Sequence, residues 1–350
     1  MSQRPVTLRD VAEAAGLHIS TVSRVLSPET RGLVNEKTAQ RIDAIIAELG
    51  YEPNRVARGL KTRRSMTVGV LINDLTNPVF PYVVRGIEDT LAKSGYTPLV
   101  ANTDGDLDRQ RRGFDALASR QVDGFILSTA LREDPLVEEI LDKGIPLALV
   151  VRNVDNHRAA AVTSDERLGT RLAVEHLVEL GHGAIACVSG PEHISTGAAR
   201  RAGFEEVMAA RGLRVAEGLV RPTTGFTIKE GQRVMNELLD GGPPFTAVVA
   251  GNDMLAIGCI DALKARGLRC PEDVSIIGFN DMYMAGRLTP PLTTLHVPYY
   301  DLGAYAADLF LDQLAGRPPR EITVVQSLIV RESTAPPPVR PAAKRPKRAG

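Results

Sequence analysis

The apolar positions of the first 60 residues recur at helical spacing and predict three short helices. Thr7 and Asp10 have the spacing of a capping box, apolar residues follow every three or four positions, and Gly16 is suited to end this first helix. The same period returns over residues 19–26, and a third stretch, Glu36–Leu49, follows an asparagine that can cap it. Three such helices can share one small hydrophobic core.

From Thr67 onward the pattern alternates between apolar strand, turn and amphipathic helix, which is typical of a parallel sheet covered by helices. Strands are predicted at residues 68–72, 97–101, 124–127, 147–151, 184–188, 247–250 and 274–278. Helices are predicted between them, among others at residues 80–94, 109–120, 168–180, 197–211, 228–239 and 253–266. So many strands in about 270 residues favour two doubly wound lobes with a ligand cleft between them over one large lobe.

The composition excludes several classes of protein. A chain of 350 residues with 43% hydrophobic and 24% charged residues is not mainly disordered. Its longest apolar run, residues 145–151, contains Pro146 and is too short to cross a bilayer. The N-terminus lacks the apolar segment of a secretory signal, and the three cysteines form neither a disulfide framework nor a CxxC site. We therefore expect a cytoplasmic protein that makes no membrane contact.

The formal net charge is zero, but the charges are segregated along the chain. Residues 1–66 carry 11 basic and 7 acidic side chains, and residues 337–350 carry 5 basic and none acidic. The remainder therefore has a net charge of −9. A basic head and tail on an acidic body suggest that only the ends approach a polyanion. For the tail, a solvated disordered end is an equally simple interpretation.

The sequence contains no motif of catalytic or nucleotide-binding chemistry. It has no GxxxxGKS/T loop, no GxGxxG after a strand, no HExxH and no GxSxG. The 6 histidines lack metal-ligand spacing, and His176, His182 and His296 are interpreted as structural or surface residues. We therefore predict no catalytic residue, no metal site and no cofactor.

The outer face of the second predicted helix carries residues suited to nucleic acid, namely Ile19, Ser20, Thr21, Ser23 and Arg24. Hydroxyls, helix amides and an arginine can contact phosphates and base edges in a major groove. The alternative is that any short amphipathic helix has a polar outer face.

Ten short sequences occur in an order that points to one family. They are VTLRDVAEAAG (6–16), STVSRVL (20–26), LGYEPN (49–54), ARGL (57–60), NPVF (77–80), GH (181–182), RAGF (201–204), ND (252–253), GFND (278–281) and PLTT (291–294). In this order they closely resemble the LacI/GalR family of bacterial transcription regulators, over residues 6 to about 330. The resemblance implies an α/β protein with a helix-turn-helix head, a hinge helix and a two-lobed core like that of periplasmic sugar-binding proteins, acting as a homodimer.

The resemblance assigns DNA contacts to the head and the hinge. The matching positions are Thr7, Ile19, Ser20, Thr21, Ser23, Arg24, Asn35, Asn54, Ala57 and Leu60. Ile19, Ser20 and Arg24 correspond to base-reading positions. Thr21, Ser23 and Asn35 correspond to phosphate contacts or helix caps. Asn54, Ala57 and Leu60 correspond to a hinge helix in the minor groove, with Leu60 as a wedge between base pairs. His18 departs from the family, which usually has serine at this cap; the cap is weaker, or the imidazole replaces it.

For the core, the resemblance implies an effector site at strand ends, where doubly wound folds bind ligands. The matching positions are Asn77, Phe80, Ser128, Arg152, Arg200, Phe226, Asn252 and Asn280. An aromatic face with arginine, amide and hydroxyl groups suits a small polar ligand. For Arg200 and Asn252 the alternatives are a salt bridge between lobes and a helix cap.

Asn280 replaces an aspartate that many family members use on sugar hydroxyls. The loss of that charge beside two arginines makes the cleft more positive, and Val297, where several relatives have glutamine, removes a further polar contact. These departures suggest an anionic effector, such as a sugar acid, a phosphosugar or another carboxylate.

Together these patterns predict a ligand-responsive transcription regulator, usually a repressor, that binds a near-palindromic operator as a dimer. The expected domains are the head (1–52), the hinge and linker (53–66), the core (67–335) and a disordered basic tail (336–350). Within the core we expect lobe 1 at about 67–165 and 297–326, and lobe 2 at about 166–296 and 327–335. The rival interpretations are a small-molecule binding or transport component on the same two-lobed fold and a sugar-processing enzyme.

Overall fold

The computed structural model describes residues 4, 6–51 and 64–338. The chain separates into two compact units, Met1–Ser65 and Met66–Gly350, which are described in turn as the head and the core.

The head consists of short helices around one small core. Its helices are α1 (Leu8–Ala15), α2 (Ile19–Val25), α3 (Pro28–Arg31) and α4 (Glu36–Leu49). The capping box at Thr7 is confirmed, and Gly16 ends α1 with a φ of 60°, a conformation that favours glycine. The head core contains Val11, Ala12, Ala15, Val22, Val25, Ala39 and Ile42. The prediction of three helices missed α3, a single turn of 4 residues that is too short to show a periodic pattern.

Lobe 1 of the core is a six-stranded sheet with strand order β11-β5-β4-β3-β1-β2. Its chain order is β1 (Thr67–Ile72), α5 (Phe80–Lys93), β2 (Thr97–Asn102), α6 (Leu107–Ala118), β3 (Phe125–Leu127), α7 (Pro135–Asp142), β4 (Leu147–Val150), β5 (Ala160–Ser164), α12 (Tyr299–Leu314) and β11 (Glu321–Val324). All strand pairs of this sheet are parallel. The parallel sheet places the loops that follow its strands at one edge.

Lobe 2 is a second six-stranded sheet, with strand order β12-β10-β9-β8-β6-β7. Its chain order is α8 (Glu166–Glu179), β6 (Ile185–Ser189), α9 (Ser195–Ala210), β7 (Val220–Pro222), α10 (Ile228–Gly241), β8 (Ala247–Ala250), α11 (Asp253–Ala265), β9 (Ser275–Asn280), β10 (Thr293–His296) and β12 (Ser327–Ile329). The strands are parallel except that β12 runs antiparallel to β10. The predicted α/β fold with two doubly wound lobes is confirmed.

The chain passes between the two lobes three times, after β5, after β10 and after β11. The second passage returns α12 to lobe 1, where it packs closely against α5. A Cβ atom at Gly86 of α5 would lie 2.0 Å from the backbone oxygen of Tyr300, and one at Gly303 of α12 would lie 2.1 Å from that of Val83. Only glycine allows the two helix backbones to approach this closely.

The seven strands with predicted bounds lie within two residues of the observed ones, and a strand was also expected at His296, which ends β10; four other strands were missed. β7, β11 and β12 have only 3 or 4 residues and include polar residues or proline, and β5 consists mainly of small residues. Within the described residues, no helix is long and apolar enough to span a membrane.

Candidate functional site

The recognition-helix candidate α2 exposes its predicted base-reading residues. Ile19 is 40% exposed, and Ser20 and Arg24 are also exposed, whereas Thr21 and Ser23 are half-buried. Arg24 forms no ion pair with another described residue. The buried Val22 and Val25 fix the opposite face of α2 against the head core.

His18 caps the N-terminus of α2 in place of a serine. Its Nδ1 accepts a hydrogen bond from the backbone N–H of Ser20 at 3.2 Å and lies 2.8 Å from the Ser20 hydroxyl. The imidazole therefore occupies the capping position, which was one of the two alternatives for this residue.

Two other predicted DNA contacts also serve as helix caps. Asn35 Oδ1 accepts from the backbone N–H of Lys37 at 3.0 Å, and Thr7 Oγ1 accepts from the backbone N–H of Asp10 at 3.4 Å. The predicted hinge residues Asn54, Ala57 and Leu60 lie outside the described residues.

In the core, the predicted effector residues follow the carboxyl ends of parallel strands in both lobes. Asn77 and Phe80 come after β1, Ser128 after β3 and Arg152 after β4; Asn252 follows β8, and Asn280 ends β9. Loops from these ends of the two sheets touch each other. The backbone N–H of Arg132 donates to the carbonyl of His193 at 3.0 Å, and that of Asn153 donates to Ser195 Oγ at 3.0 Å.

Arg200 is the buried arginine among the predicted effector residues of lobe 2. It is 6% exposed, its Nε donates to Glu166 Oε2 at 2.6 Å, and its guanidinium lies 3.7 Å from the centroid of the Phe279 ring. The predicted aromatic residue Phe226 lies on the same guanidinium at 6.0 Å. Burial acts to lower the pKa of Arg200, but the adjacent Glu166 carboxylate outweighs it and the pKa is raised. The ion pair of Arg200 is therefore within lobe 2, whereas its contact with lobe 1 is a hydrogen bond with the Tyr299 hydroxyl.

Asn252 and Asn280 are also engaged with protein groups. Asn252 Oδ1 caps α11 by accepting from the backbone N–H of Leu255 at 2.8 Å. Asn280 Oδ1 accepts from the hydroxyl of Tyr299, the first residue of α12, at 2.6 Å. Both asparagines retain an amide nitrogen as a donor. The Tyr299 bond crosses from lobe 1 to lobe 2.

Arg152 is the charged residue among the predicted effector residues of lobe 1. It is 6% exposed, and its one hydrogen bond among the described residues goes from Nη1 to the carbonyl of Thr129 at 3.5 Å. Burial lowers its pKa to about 10. The Thr129 hydroxyl is buried and has no hydrogen-bond partner among the described residues. Such groups are costly to bury unless a partner satisfies them.

Of the other predicted residues of lobe 1, Ser128 and Phe80 are buried and Asn77 is half-buried. The Ser128 side chain is fully buried and joins β1 to β3, since its hydroxyl donates to the carbonyl of Leu71 at 3.4 Å. Phe80 is 4% exposed and belongs to the hydrophobic core, while Asn77 Oδ1 accepts from the backbone N–H of Val79 at 3.3 Å. In lobe 2 the structure thus brings Arg200 and Phe226 together. Asn252 follows Gly251, whose carbonyl accepts from Arg200, and Asn280 shares the partner Tyr299 with Arg200. Among the described residues no contact joins Asn77 or Phe80 to Arg200.

Three backbone positions next to the site adopt positive φ angles that L-residues rarely use. Val151, immediately before Arg152, has a φ of 69°, and Asn280 and Asp281 have φ angles of 120° and 53°. Each such position costs on the order of 1–3 kcal/mol and persists only where surrounding contacts hold it. The backbone N–H of Val151 donates to the carbonyl of Val162 at 2.9 Å. These backbone angles fix the directions of the Arg152 and Asn280 side chains relative to β4 and β9.

Asp253 anchors the turn that follows Asn280. Its carboxylate is fully buried and accepts from the backbone N–H of Met282 at 2.8 Å and from the Thr294 hydroxyl at 2.5 Å. Burial raises the pKa of Asp253 to about 7, and these two hydrogen bonds act in the opposite direction. Asp281, the next residue of the turn, pairs with Arg331 at 2.6 Å.

Sequence reasoning missed three residues of this site: Glu166, Tyr299 and Asp253. Glu166 follows β5, a strand that was not predicted, and Tyr299 begins a helix for which no range was predicted. Asp253 was seen as part of a family motif, but no local signal indicated its burial. Among the described residues, no cluster of three or more histidine, cysteine, aspartate or glutamate side chains could hold a metal ion.

Comparisons with known proteins match the chain over most of its length. The family described as bacterial regulatory proteins, lacI family, matches residues 7–54, and a periplasmic binding protein-like domain matches residues 174–334. The ribose operon repressor of Halalkalibacterium halodurans is 36% identical over 330 residues, which cover 94% of this chain and 97% of that protein.

Two solved structures extend the match to the whole fold. The lac repressor dimer bound to operator and the anti-inducer ONPF has a TM-score of 0.83 and 29% identity, covering 95% of this chain and 100% of that one. A LacI family regulator from Enterococcus faecium with bound ribose has a TM-score of 0.67 and 34% identity, covering 77% and 99%. The chain is thus a DNA-binding transcription regulator rather than an enzyme, and it belongs to the lacI family of bacterial regulatory proteins.

Proposed function

We propose that this regulator is a repressor that binds a near-palindromic operator as a homodimer and responds to a neutral sugar of about pentose size. The observation that carries the proposal is the buried set of polar groups around Arg200 and Arg152, at the strand ends of two lobes that touch each other. Buried donors of this kind select ligands with several hydroxyl groups, because each unpaired polar group is costly. The relatives named for ribose support a sugar of this class.

The ion pair between Arg200 and Glu166 favours a neutral effector over an anionic one. The hypothesis of an anionic effector rested on Asn280, which replaces an aspartate beside two arginines, and on Val297. Glu166 offsets the charge of Arg200, so that Arg152 is the remaining unpaired cation of the predicted site. Arg152 is the observation that favours an anionic effector, which is therefore the second candidate.

The proposed homodimer is supported by exposed apolar side chains around the edge strand β2. Leu75, Tyr82, Val100 and Leu107 are 40 to 56% exposed on β2 and the neighbouring segments. In lobe 2, Tyr283 and Met284 are 61% and 45% exposed. Clusters of exposed apolar side chains favour burial against a partner. A second copy of the chain is the proposed partner.

The proposed DNA contacts lie in the head and the hinge. In the head they are Thr7, Ile19, Ser20, Thr21, Ser23, Arg24 and Asn35, and in the hinge they are Asn54, Ala57 and Leu60.

The proposed effector residues lie in the core. They are Asn77, Phe80, Ser128, Arg152, Arg200, Phe226, Asn252 and Asn280. Closure of the lobes on the effector would shift the equilibrium of the hinge and thereby change operator affinity.

Two measurements test this function. Operator sites selected from a random duplex pool should be near-palindromic and should shift the protein in a gel as one dimeric complex. Isothermal titration with D-ribose, other neutral sugars and matched sugar acids should show binding of a neutral sugar, and that sugar should change the operator affinity. A protein that binds a sugar but no selected duplex would instead be a binding or transport component.

A further inference from the structure

Glu166 is a buried carboxylate at the first passage of the chain between the lobes. It is the first residue of α8 and is 7% exposed. Its Oε2 accepts from Arg200 Nε at 2.6 Å, and its Oε1 accepts from the hydroxyl of Ser164 at 2.6 Å. Since Ser164 ends β5 in lobe 1 and Arg200 lies on α9 in lobe 2, the carboxylate is held by groups from both lobes.

The guanidinium of Arg200 has one fixed orientation. Glu166 holds its Nε, the carbonyl of Gly251 accepts from its Nη1, and the Phe279 ring covers one face at 3.7 Å. An arginine held on three sides in this way keeps little rotamer freedom. The directions of its remaining N–H groups are therefore fixed before a ligand binds.

The pair formed by Arg200 and Glu166 is formally neutral in a place where solvent screens charge poorly. The two side chains are 7% and 8% exposed. An anionic ligand that approached Arg200 would also approach the Glu166 carboxylate. The two negative charges would repel each other strongly, because both would be buried. A hydroxyl group can bond to the same pair without that penalty.

Lobe 1 also contains a buried arginine, Arg152, but this one has no carboxylate partner among the described residues. Arg152 is equally buried, and no carboxylate contributes to the shift of its pKa. The two arginines therefore differ in the group placed beside them and not in their burial.

We propose that Glu166 is a specificity-determining positioning residue, which fixes Arg200 as half of a neutral pair and so excludes anionic ligands from the lobe 2 part of the effector site. This inference rests on the proposed function in that it takes the region around Arg200 as the effector site. It predicts that removing the carboxylate charge converts this part of the site into one that binds anions.

The first test uses inorganic phosphate and does not depend on the identity of the effector. The melting temperatures of the wild type and of Glu166→Gln are measured in increasing phosphate, with chloride keeping the ionic strength constant. Glu166→Gln leaves Arg200 without its counter-ion, so phosphate should stabilise this variant more than the wild type. The extra stabilisation should vanish in Glu166→Gln/Arg200→Met, because that double variant has lost the cation as well.

Glu206→Gln is the matched control, because it removes a carboxylate from an exposed pair with Arg167. It should respond to phosphate as the wild type does. An equal phosphate response in Glu166→Gln and the wild type would overturn the proposal.

The second test uses the wild type, and therefore holds even if Glu166→Gln does not fold. Isothermal titration compares D-ribose with D-ribonate, the open-chain acid in which the anomeric carbon is oxidised to a carboxylate. The wild type should bind ribose at least about tenfold more tightly, which corresponds to the lower end of couplings between close charges. In Glu166→Gln this preference should shrink or reverse.

Equal or tighter binding of ribonate by the wild type would overturn the role of Glu166. If phosphate stabilises Glu166→Gln selectively but no neutral sugar binds the wild type, the proposed effector class is wrong while Glu166 retains its role. The two proposals therefore fail by different measurements.

Discussion

The hydroxyl of Tyr299 donates a 2.6 Å hydrogen bond to Oδ1 of Asn280 and thereby joins the start of α12 in lobe 1 to the end of β9 in lobe 2. Both residues are 7% exposed. The bond occupies an oxygen that would otherwise be free to accept from a ligand, so Asn280 offers the effector a donor.

Tyr299→Phe should weaken the contact between the lobes. Removal of the hydroxyl leaves the buried side-chain oxygen of Asn280 without this donor, which should lower the free energy of unfolding by about 1–3 kcal/mol. Urea denaturation measures this change. Tyr305→Phe, at a residue 42% exposed on the same helix, is the control and should be nearly neutral. An equal effect of both substitutions would show that the bond to Asn280 contributes nothing.

Asn280→Asp tests the charge of the effector. The carboxylate can still accept from Tyr299 while adding a negative charge next to the site. A neutral sugar should bind as well or better because it gains an acceptor, whereas an anionic effector should bind more weakly through like-charge repulsion. Isothermal titration decides between them, and weaker binding of the true effector would favour the anionic candidate.

Asp253 should make the stability of the core depend on pH. Burial raises the pKa of this carboxyl from its ordinary value of 3.8 to about 7, so between these values the folded protein retains a proton that the unfolded chain loses. The contribution of Asp253 to stability is therefore full below pH 4 and is lost as the pH rises towards 7.

In Asp253→Asn this part of the pH dependence should disappear, because the amide remains neutral and can still accept from the backbone N–H of Met282. Denaturation curves recorded between pH 4 and pH 8 measure the effect. An unchanged slope in the variant would assign the pH dependence to other groups.

His18→Ala should loosen the N-terminus of the recognition helix. The loss of a side-chain cap costs about 1 kcal/mol, which corresponds to a roughly fivefold larger open population of the first turn. Hydrogen exchange at the backbone amide of Ser20, measured in the full chain, detects this directly. His18→Asn restores a favoured cap and should exchange as slowly as the wild type; fast exchange in both variants would contradict a capping role.

Arg24→Ala should relax the operator preference at one position of each half-site. If the guanidinium contacts a guanine through two hydrogen bonds, the loss is about 1–3 kcal/mol at that base pair. Selection from a randomised duplex pool measures it. Arg112→Ala, at an exposed arginine of α6 in the core, should leave the selected sequence unchanged.

Local signals in the sequence were enough to predict the elements that depend on neighbouring residues. The capping box of Thr7, the left-handed Gly16 and the cap at Asn35 act within one helical turn, and the structure has all three. The short β5 has the sequence AAVTS, in which small residues obscure a buried strand. Its position beside β4 and β11 depends on pairing across the chain.

The partners within the site could not be predicted because they are distant in sequence. Glu166 and Arg200 are 34 residues apart, and Asp253 and Thr294 are 41 apart. Nothing near Arg200 in the sequence indicates that a carboxylate lies beside it, and the sequence therefore predicted that its charge is available to a ligand. Only the packing of α8 against α9 brings the two together.

The three passages of the chain between the lobes mean that neither lobe is encoded by one continuous stretch of the gene. A fragment that stops after His296 contains most of lobe 2 but removes α12 and β11 from lobe 1 and β12 from lobe 2. A protease that cuts one passage leaves the lobes joined by the other two. Separately expressed halves of this core would therefore have to be built as circularly permuted or spliced sequences.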